Sequence, residues 1–508
     1  MSKLPSTGLL AALLAAAWPA RAAAGRQPLE YAFTIWDWTR DYRDLGRFRA
    51  RVDELRAMGF NTVELSVAWK DVQPEASDRF RWDATDARVD AVLGEGLRLR
   101  VRINFAYAHP WPKWVEPQLA TRFDGKRPAK LMTIFDENLN ALEDAAAQAI
   151  AAHYRGRGIE WCPVFGVHTE AKLSSWLSYE PAAREAFRAW LRWRYGTLAA
   201  LSEAWGRDFE AWQAVQPPVL GHTDREPDLR AAACDWMAFR EEAIARRLAQ
   251  LLAAVRRGDP AASTSVVLGE SFRRGSAQMA NLGYRAYSRH ADRVVFAYDF
   301  NWHGPQGRDE AALSLAIMRG VSGKPTVFEF GGPAMVERNG YTDADMVFIG
   351  RLALDEGAAG LNMCNYCYTD EPLAAFPHLE VLARDVAARN ARPPSPAPKA
   401  TSLYYVSKWA NYLFRHPRSE WLHERQFAPY RRLRARGLRP RIVSDANLLE
   451  EPLGGYTRLY VAPPLVVEAR AAARLRELAD TMATVPPDPL AEATILEQQG
   501  TTTRRAPR

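Results

Sequence analysis

"IEWCPVFGVHTEAK", residues 159–172, is an apolar run that ends in a carboxylate. Residues 159–167 are the right length for a strand buried on both faces and too short for a core helix. His168, Thr169 and Glu170 follow directly. A charge there marks either an ordinary strand-to-loop transition or the mouth of a barrel, where a carboxylate can move a proton. The segments on either side decide between the two.

Upstream, "YAFTIW" (31–36), "NTVELSVAW" (61–69) and "LRLRVRINF" (97–105) read as strands, and downstream so do "STSVVLG" (263–269), "DRVVFAYDF" (292–300), "KPTVFEF" (324–330) and "AAGLNMCNY" (358–366). Helical periodicity separates them: "LGRFRARVDELRAMG" (45–59), 84–94, "LNALEDAAAQAIAAHY" (139–154), 181–194, 197–205 and 228–256. Alternation of this kind calls for a parallel sheet covered by helices. Eight units, with long insertions after the third and fourth strands, predict a (β/α)8 TIM barrel over residues 25–395. The competing reading, an open doubly wound sheet, finds no G-x-G-x-x-G or Walker A loop.

"RPPSPAPKA" (392–400) is a Pro-rich linker. Beyond it, 401–407, 419–436, 439–445, 456–466 and 467–482 alternate again and predict a small α/β unit over 401–482. The tail, 483–508, is polar with little periodicity and is expected to be disordered. At the other end, one Lys, an apolar stretch at 9–18 and Ala20-Arg21-Ala22 make a secretory signal peptide over 1–24. The expected product is periplasmic or extracellular, with no membrane contact after cleavage.

Of the 508 residues 48% are hydrophobic and 25% charged, a globular balance. The net charge of +7 comes from Arg spread along the chain, and no basic stripe or nucleic-acid module accompanies it. Seventeen Trp suit a core, but they also suit a sugar cleft, because the C–H faces of sugars stack on aromatic rings. Cys364-x-x-Cys367 has no second pair to complete a zinc site, and buried thiols are the preferred reading of the four cysteines.

In a barrel the chemistry lies at the C-terminal ends of the strands. The polar residues there include Asp37, Glu64, Ser66, Arg102, Glu270 and Asp299. Two glutamates recur at equivalent places: Glu170 after the fourth strand, and Glu329 in "TVFEFGG" of the seventh. Glycoside hydrolysis needs two carboxylates, whereas each alone could equally be half of a salt bridge. Tyr298 is a candidate donor to Glu329. Trp36, Asn104, Trp111, His168, Thr169, Tyr298, Asn301, Trp302 and Tyr366 are the candidate substrate-binding residues. A metal reading of His109, His168, His303 and Asp299 lacks an H-x-H, and no strand supplies two ligands. A serine nucleophile would need a G-x-S-x-G elbow. Neither a metal nor a cofactor is expected.

Four stretches carry a resemblance to a known family: "MGFNTVELSVAWKDVQPEASDRFRWD" (58–83), "AYAHPWPKW" (106–114), "LSYEPAAREAFRAWLRWRYGTLAALSEAWG" (177–206) and "DLRAAACDWMAFREEAIARRLAQLLAAVRRGDP" (228–260). Together they resemble glycoside hydrolase family 42, the β-galactosidase-like enzymes of the large retaining clan. The resemblance implies a retaining exo-β-glycosidase acting on a glycoside or oligosaccharide, with Glu170 as acid/base and Glu329 as nucleophile, about 5–5.5 Å apart. It also implies that 401–482 is a flavodoxin-like unit similar to the start of the family's trimerisation domain, and so leaves a homo-oligomer open. Thr169 stands where the family usually carries Asn. That departure supports an alternative, a barrel that binds carbohydrate without cleaving it.

Overall fold

Strands β1 (Glu30–Ile35), β2 (Thr62–Ala68), β3 (Arg98–Phe105), β4 (Glu160–Phe165), β5 (Ser263–Gly269), β6 (Arg293–Ala297), β7 (Thr326–Gly331) and β8 (Gly360–Cys364) pair in that order, and β8 pairs back onto β1. Every pairing is parallel, so the sheet closes into the expected eight-stranded barrel. This computed structural model describes residues 28–106, 111–122, 125, 132–165, 178–218, 230–269, 283–298, 308–331, 340–364, 371–392, 400–413, 419–462, 465–486, 490 and 493–496. Glu170, His168, Thr169, Asn301, Trp302 and Tyr366 lie outside the described residues, as do residues 1–24, expected from sequence to be a signal peptide, and Cys367.

Each strand is followed by at least one helix among the described residues, as the periodicity requires. The helix Leu45–Ala57 starts at Asp44, whose side chain accepts from the Arg47 N–H. It ends at Gly59, and the helix Asp83–Gly94 ends at Gly96. Both glycines hold left-handed backbone, at φ 88° and 71°, where a side chain would strain the turn into the next strand. The outward faces of the strands supply the main core: Phe33, Leu65, Val101, Ile103, Trp161, Leu268, Phe296, Phe328 and Met363 are buried against the helices. The inward faces split into two. Cys162, Val164, Val267, Val295 and Ala297 form a small apolar wall on β4–β6. The other side of the lumen is charged.

The C-terminal unit is a parallel four-stranded sheet of β9 (Ser402–Tyr405), β10 (Arg441–Val443), β11 (Arg458–Val461) and β13 (Ala483–Val485), in the order β10-β9-β11-β13. A second parallel pair joins β12 (Leu465–Glu468) to β14 (Ala493–Leu496). Two expectations are corrected here. The run 456–466 is not one strand but two, β11 and β12, separated around the two prolines. The segment 483–508 is not structureless throughout, because β13 completes the sheet and β14 pairs with β12. Its local sequence is polar and weakly patterned, and the ladder partners come from elsewhere in the chain.

One face of the sheet (Leu403, Tyr405, Val443, Leu459, Val461) builds a core of its own. The other face (Tyr404, Ile442, Tyr460) joins the core of the barrel. The helix Arg308–Ser322 meets β10 at Gly320, whose carbonyl accepts from Arg441 Nη2 at 2.9 Å. Asn447 Nδ2 reaches the Val321 carbonyl at 2.9 Å.

Candidate active site

Arg102 on β3 and Glu329 on β7 stand on opposite sides of the closed barrel, so the ion pair between them crosses the lumen. Both are almost fully buried. Glu329 lies two residues before the end of its strand, in register with Ala297 on β6 and Asn362 on β8. Its Oε2 accepts from Arg102 Nη2 and, at 3.0 Å, from Asn362 Nδ2. A buried carboxylate of this kind needs charged or polar donors to remain ionised.

The same two donors also reach Glu64 on β2. Its Oε1 lies 2.6 Å from Arg102 Nε and 3.1 Å from Asn362 Nδ2, and it accepts from Thr34 Oγ1 at 2.9 Å. Its Oε2 accepts from Arg100 Nη1 at 3.1 Å. Burial works against ionisation of Glu64, but the Arg102 and Arg100 guanidiniums outweigh it and hold the carboxyl below its ordinary range. One guanidinium and one amide thus bridge two carboxylates.

Deeper in the barrel the pattern continues. Arg100 pairs with Glu30 and, at 2.7 Å, with Glu160. Arg293 pairs with Glu30 at 2.9 Å and Glu160 at 3.1 Å. Burial opposes the charge on Glu160, yet Arg100 and Arg293 bring its pKa down to about 2. The result is a continuous ladder of paired charges from the floor of the barrel up to Glu329.

Of the candidates read from sequence, Glu329, Trp36, Asn104 and Tyr298 converge on this end of the barrel. Trp36 is buried, stacks on Trp38 with centroids 4.4 Å apart, and backs the Arg102 guanidinium, whose carbon lies 4.9 Å from its ring centroid. Asn104 Nδ2 donates to Asp37 Oδ1 at 3.1 Å. Asp37 also accepts from Ser66, and burial raises its pKa against those two hydrogen bonds. Tyr298 is buried and meets β7 through its backbone N–H, which donates to the Glu329 carbonyl at 2.9 Å. Trp111 is half-buried and packs against the main core.

Sequence points to Tyr298 as the donor to the Glu329 carboxylate. Among the described residues, Arg102 and Asn362 donate to it. Arg102 reads from sequence only as a polar residue at the end of the third strand, and it is in fact within the strand and across the lumen from its partner. Asn362 is not among the residues that sequence reasoning singles out. Its one signal is a lone polar residue in the apolar run "AAGLNMC", one strand over from the glutamate. Cys162, Cys234 and Cys364 are buried free thiols, in line with the sequence reading. Burial pushes the Cys162 thiol up to about 12.

Solved structures share this architecture. A polyextremophilic beta-galactosidase from the Antarctic haloarchaeon Halorubrum lacusprofundi superposes with a TM-score of 0.70 over 89% of this chain and 72% of that one, at 16% identity, which speaks for the fold alone. Among curated proteins, a Thermus thermophilus beta-galactosidase is 28% identical over 176 residues, 32% of this chain and 26% of that protein. Beta-galactosidase BbgII of Bifidobacterium bifidum is 25% identical over 301 residues, 54% of this chain and 41% of that protein. Both alignments span less than half of the relative's own length. The match to glycoside hydrolase family 42, described as beta-galactosidase, runs from residue 38 to residue 337, more than half of the chain and all of β2 to β7, and this chain therefore belongs to that family.

Proposed function

We propose that the protein is a retaining β-glycosidase, exported and exo-acting, with Glu329 as nucleophile and Glu170 as acid/base. The observation that carries this reading is the clamp on Glu329: a carboxylate near the C-terminal end of a barrel strand, facing the lumen, with a guanidinium and an amide on one oxygen. Those donors favour the anion, and a nucleophile must be an anion. The names of the family relatives make β-galactosides the first substrates to test.

In the proposed reaction Glu329 attacks the anomeric carbon while Glu170 protonates the departing oxygen. A glycosyl ester forms on Glu329. Water, deprotonated by Glu170, then displaces the sugar with net retention. Trp36 holds Arg102 from behind and so helps fix the nucleophile, while Asn104 and Asp37 line the same end of the lumen. Export through residues 1–24 is tested by N-terminal sequencing of the mature protein.

The deciding measurement is hydrolysis of a panel of aryl β-glycosides by wild type, Glu170→Gln and Glu329→Gln. Loss of the acid/base is expected to cost about 10²–10⁴-fold in rate, most for poor leaving groups. Loss of the nucleophile is expected to remove activity with every leaving group. Equal rates for the three proteins would sink the assignment. An inactive wild type that binds sugar would support the non-catalytic alternative.

A further inference from the structure

We propose that Glu64 is a positioning residue whose charge is needed after Glu329 has reacted: it is the counter-ion that keeps Arg102 neutralised in the covalent intermediate. This rests on the reading of Glu329 as the nucleophile. Arg102 is almost fully buried and pairs with two carboxylates, Glu329 through Nη2 and Glu64 through Nε at 2.6 Å. When Glu329 forms its ester, the carboxylate oxygen gains a bond to the anomeric carbon and the side chain loses its charge. The leaving group departs with the bonding electron pair and a proton from Glu170. Arg102 cannot follow that change by giving up its own proton. Without a second partner it would be left as an unpaired buried cation, which is strongly unfavourable.

The charges in the lumen fit this account. The ion-paired ladder contains four carboxylates (Glu30, Glu64, Glu160, Glu329) and three guanidiniums (Arg100, Arg102, Arg293) among the described residues. In the free enzyme the ladder therefore carries one excess negative charge, and esterification of Glu329 cancels it. The network is balanced for the intermediate. Asn362 reinforces the arrangement, because its Nδ2 lies 3.0 Å from Glu329 and 3.1 Å from Glu64 and can turn to whichever acceptor is charged.

Glu64→Gln keeps the shape and an acceptor oxygen but removes the charge. The free enzyme then becomes balanced and the ester carries an excess positive charge. Formation of the intermediate should slow, while its breakdown, which regenerates the Glu329 anion, should speed up. A merely structural role would not move the two steps in opposite directions.

The experiment uses 2-deoxy-2-fluoro-β-glycosyl dinitrophenolates, including the galactosyl compound, which let the adduct accumulate. Rates of inactivation and of reactivation are measured for wild type, Glu64→Gln and Glu64→Asp, with the adduct mapped to Glu329 by mass spectrometry. Glu64→Gln is expected to label about tenfold more slowly and to reactivate about tenfold faster, a change of about 1.4 kcal/mol in each barrier. Glu64→Asp keeps the charge and is expected to reactivate near the wild-type rate. If both steps slow together in Glu64→Gln, or if Glu64→Asp reactivates much faster than wild type, the proposal is overturned while the nucleophile assignment stands. A wild type that forms no adduct on Glu329 with any sugar overturns both. Should Glu64→Gln fail to fold, the Glu64→Asp reactivation rate decides alone.

Discussion

Arg293 donates to Glu30 and Glu160 at the floor of the barrel, and all three are largely sequestered from water. Removing it leaves two carboxylates facing each other with Arg100 as the remaining shared partner. Breaking a buried pair from one side costs about 3–5 kcal/mol, so Arg293→Met is expected to destabilise the fold by that order, measured as a lowered denaturation midpoint. Glu160 sets a matching pH dependence. Its folded pKa of about 2 lies below its unfolded value, so its contribution is present above about pH 4.3 and is lost as pH falls through the folded value. The loss between pH 5 and pH 2 is about 3 kcal/mol, and Glu160→Gln is expected to flatten acid unfolding over that window. The roles of single residues are only partly legible in the sequence. Glu329 can be picked out because a charge inside "TVFEFGG" needs a reason. Its partners cannot, because they come from β3 and β8, distant in sequence, and meet it only once the barrel closes.

At the scale of elements, period-two patterning identifies a strand and its two faces but does not say which face is the lumen. In β3, Leu99, Val101, Ile103 and Phe105 pack outward under helices, while Arg100, Arg102 and Asn104 point inward. An ordinary half-exposed sheet would turn that charged row to solvent. Here the helices claim the apolar row, and the lumen, closed on itself, must satisfy the charges internally. The eight strands are legible because their outer faces are largely apolar, whereas the ionic ladder is not. Helix packing gives a second test. A Cβ at Gly320 would overlap the carbonyl of Ile442 on β10. Replacing a helical Gly by Ala normally gains up to about 1 kcal/mol, but overpacking costs about 1–3 kcal/mol. Gly320→Ala is thus expected to lower the melting temperature. Gly94, at the end of an outer helix, has open space within 4 Å of where a methyl group would sit, and Gly94→Ala is expected to raise it.

At the scale of the whole molecule, the barrel and the C-terminal unit meet around Lys408, whose Nζ lies 3.4 Å from Glu241 of the helix Arg230–Gly258. Behind it Asp445 accepts from the Lys408 N–H at 2.8 Å and from Tyr405 Oη at 3.1 Å. Glu241, Glu242, Lys408, Asp445 and Glu468 border one cavity of about 390 Å³. Glu450, Arg246 and Arg289 complete the charged lining of that cavity. Burial, with the neighbouring charge of Glu468, raises the Asp445 pKa to about 6 despite Lys408, and burial raises that of Glu242 in the same direction. A carboxyl raised above its unfolded value of about 3.9 gives a contribution that is fully present below that value and lost as pH rises through the folded one. For Asp445 the loss amounts to about 2 kcal/mol between pH 4 and pH 7. Asp445→Asn keeps an acceptor for the Lys408 N–H and an amide to donate to Tyr405 Oη, but it cannot ionise. Thermal unfolding from pH 4 to pH 8 is expected to show the variant gaining on wild type as pH rises, with the difference growing between pH 4 and pH 6 and levelling above pH 7. Parallel curves would mean that Asp445 titrates alike in the folded and unfolded chain, and that the junction draws no pH dependence from it.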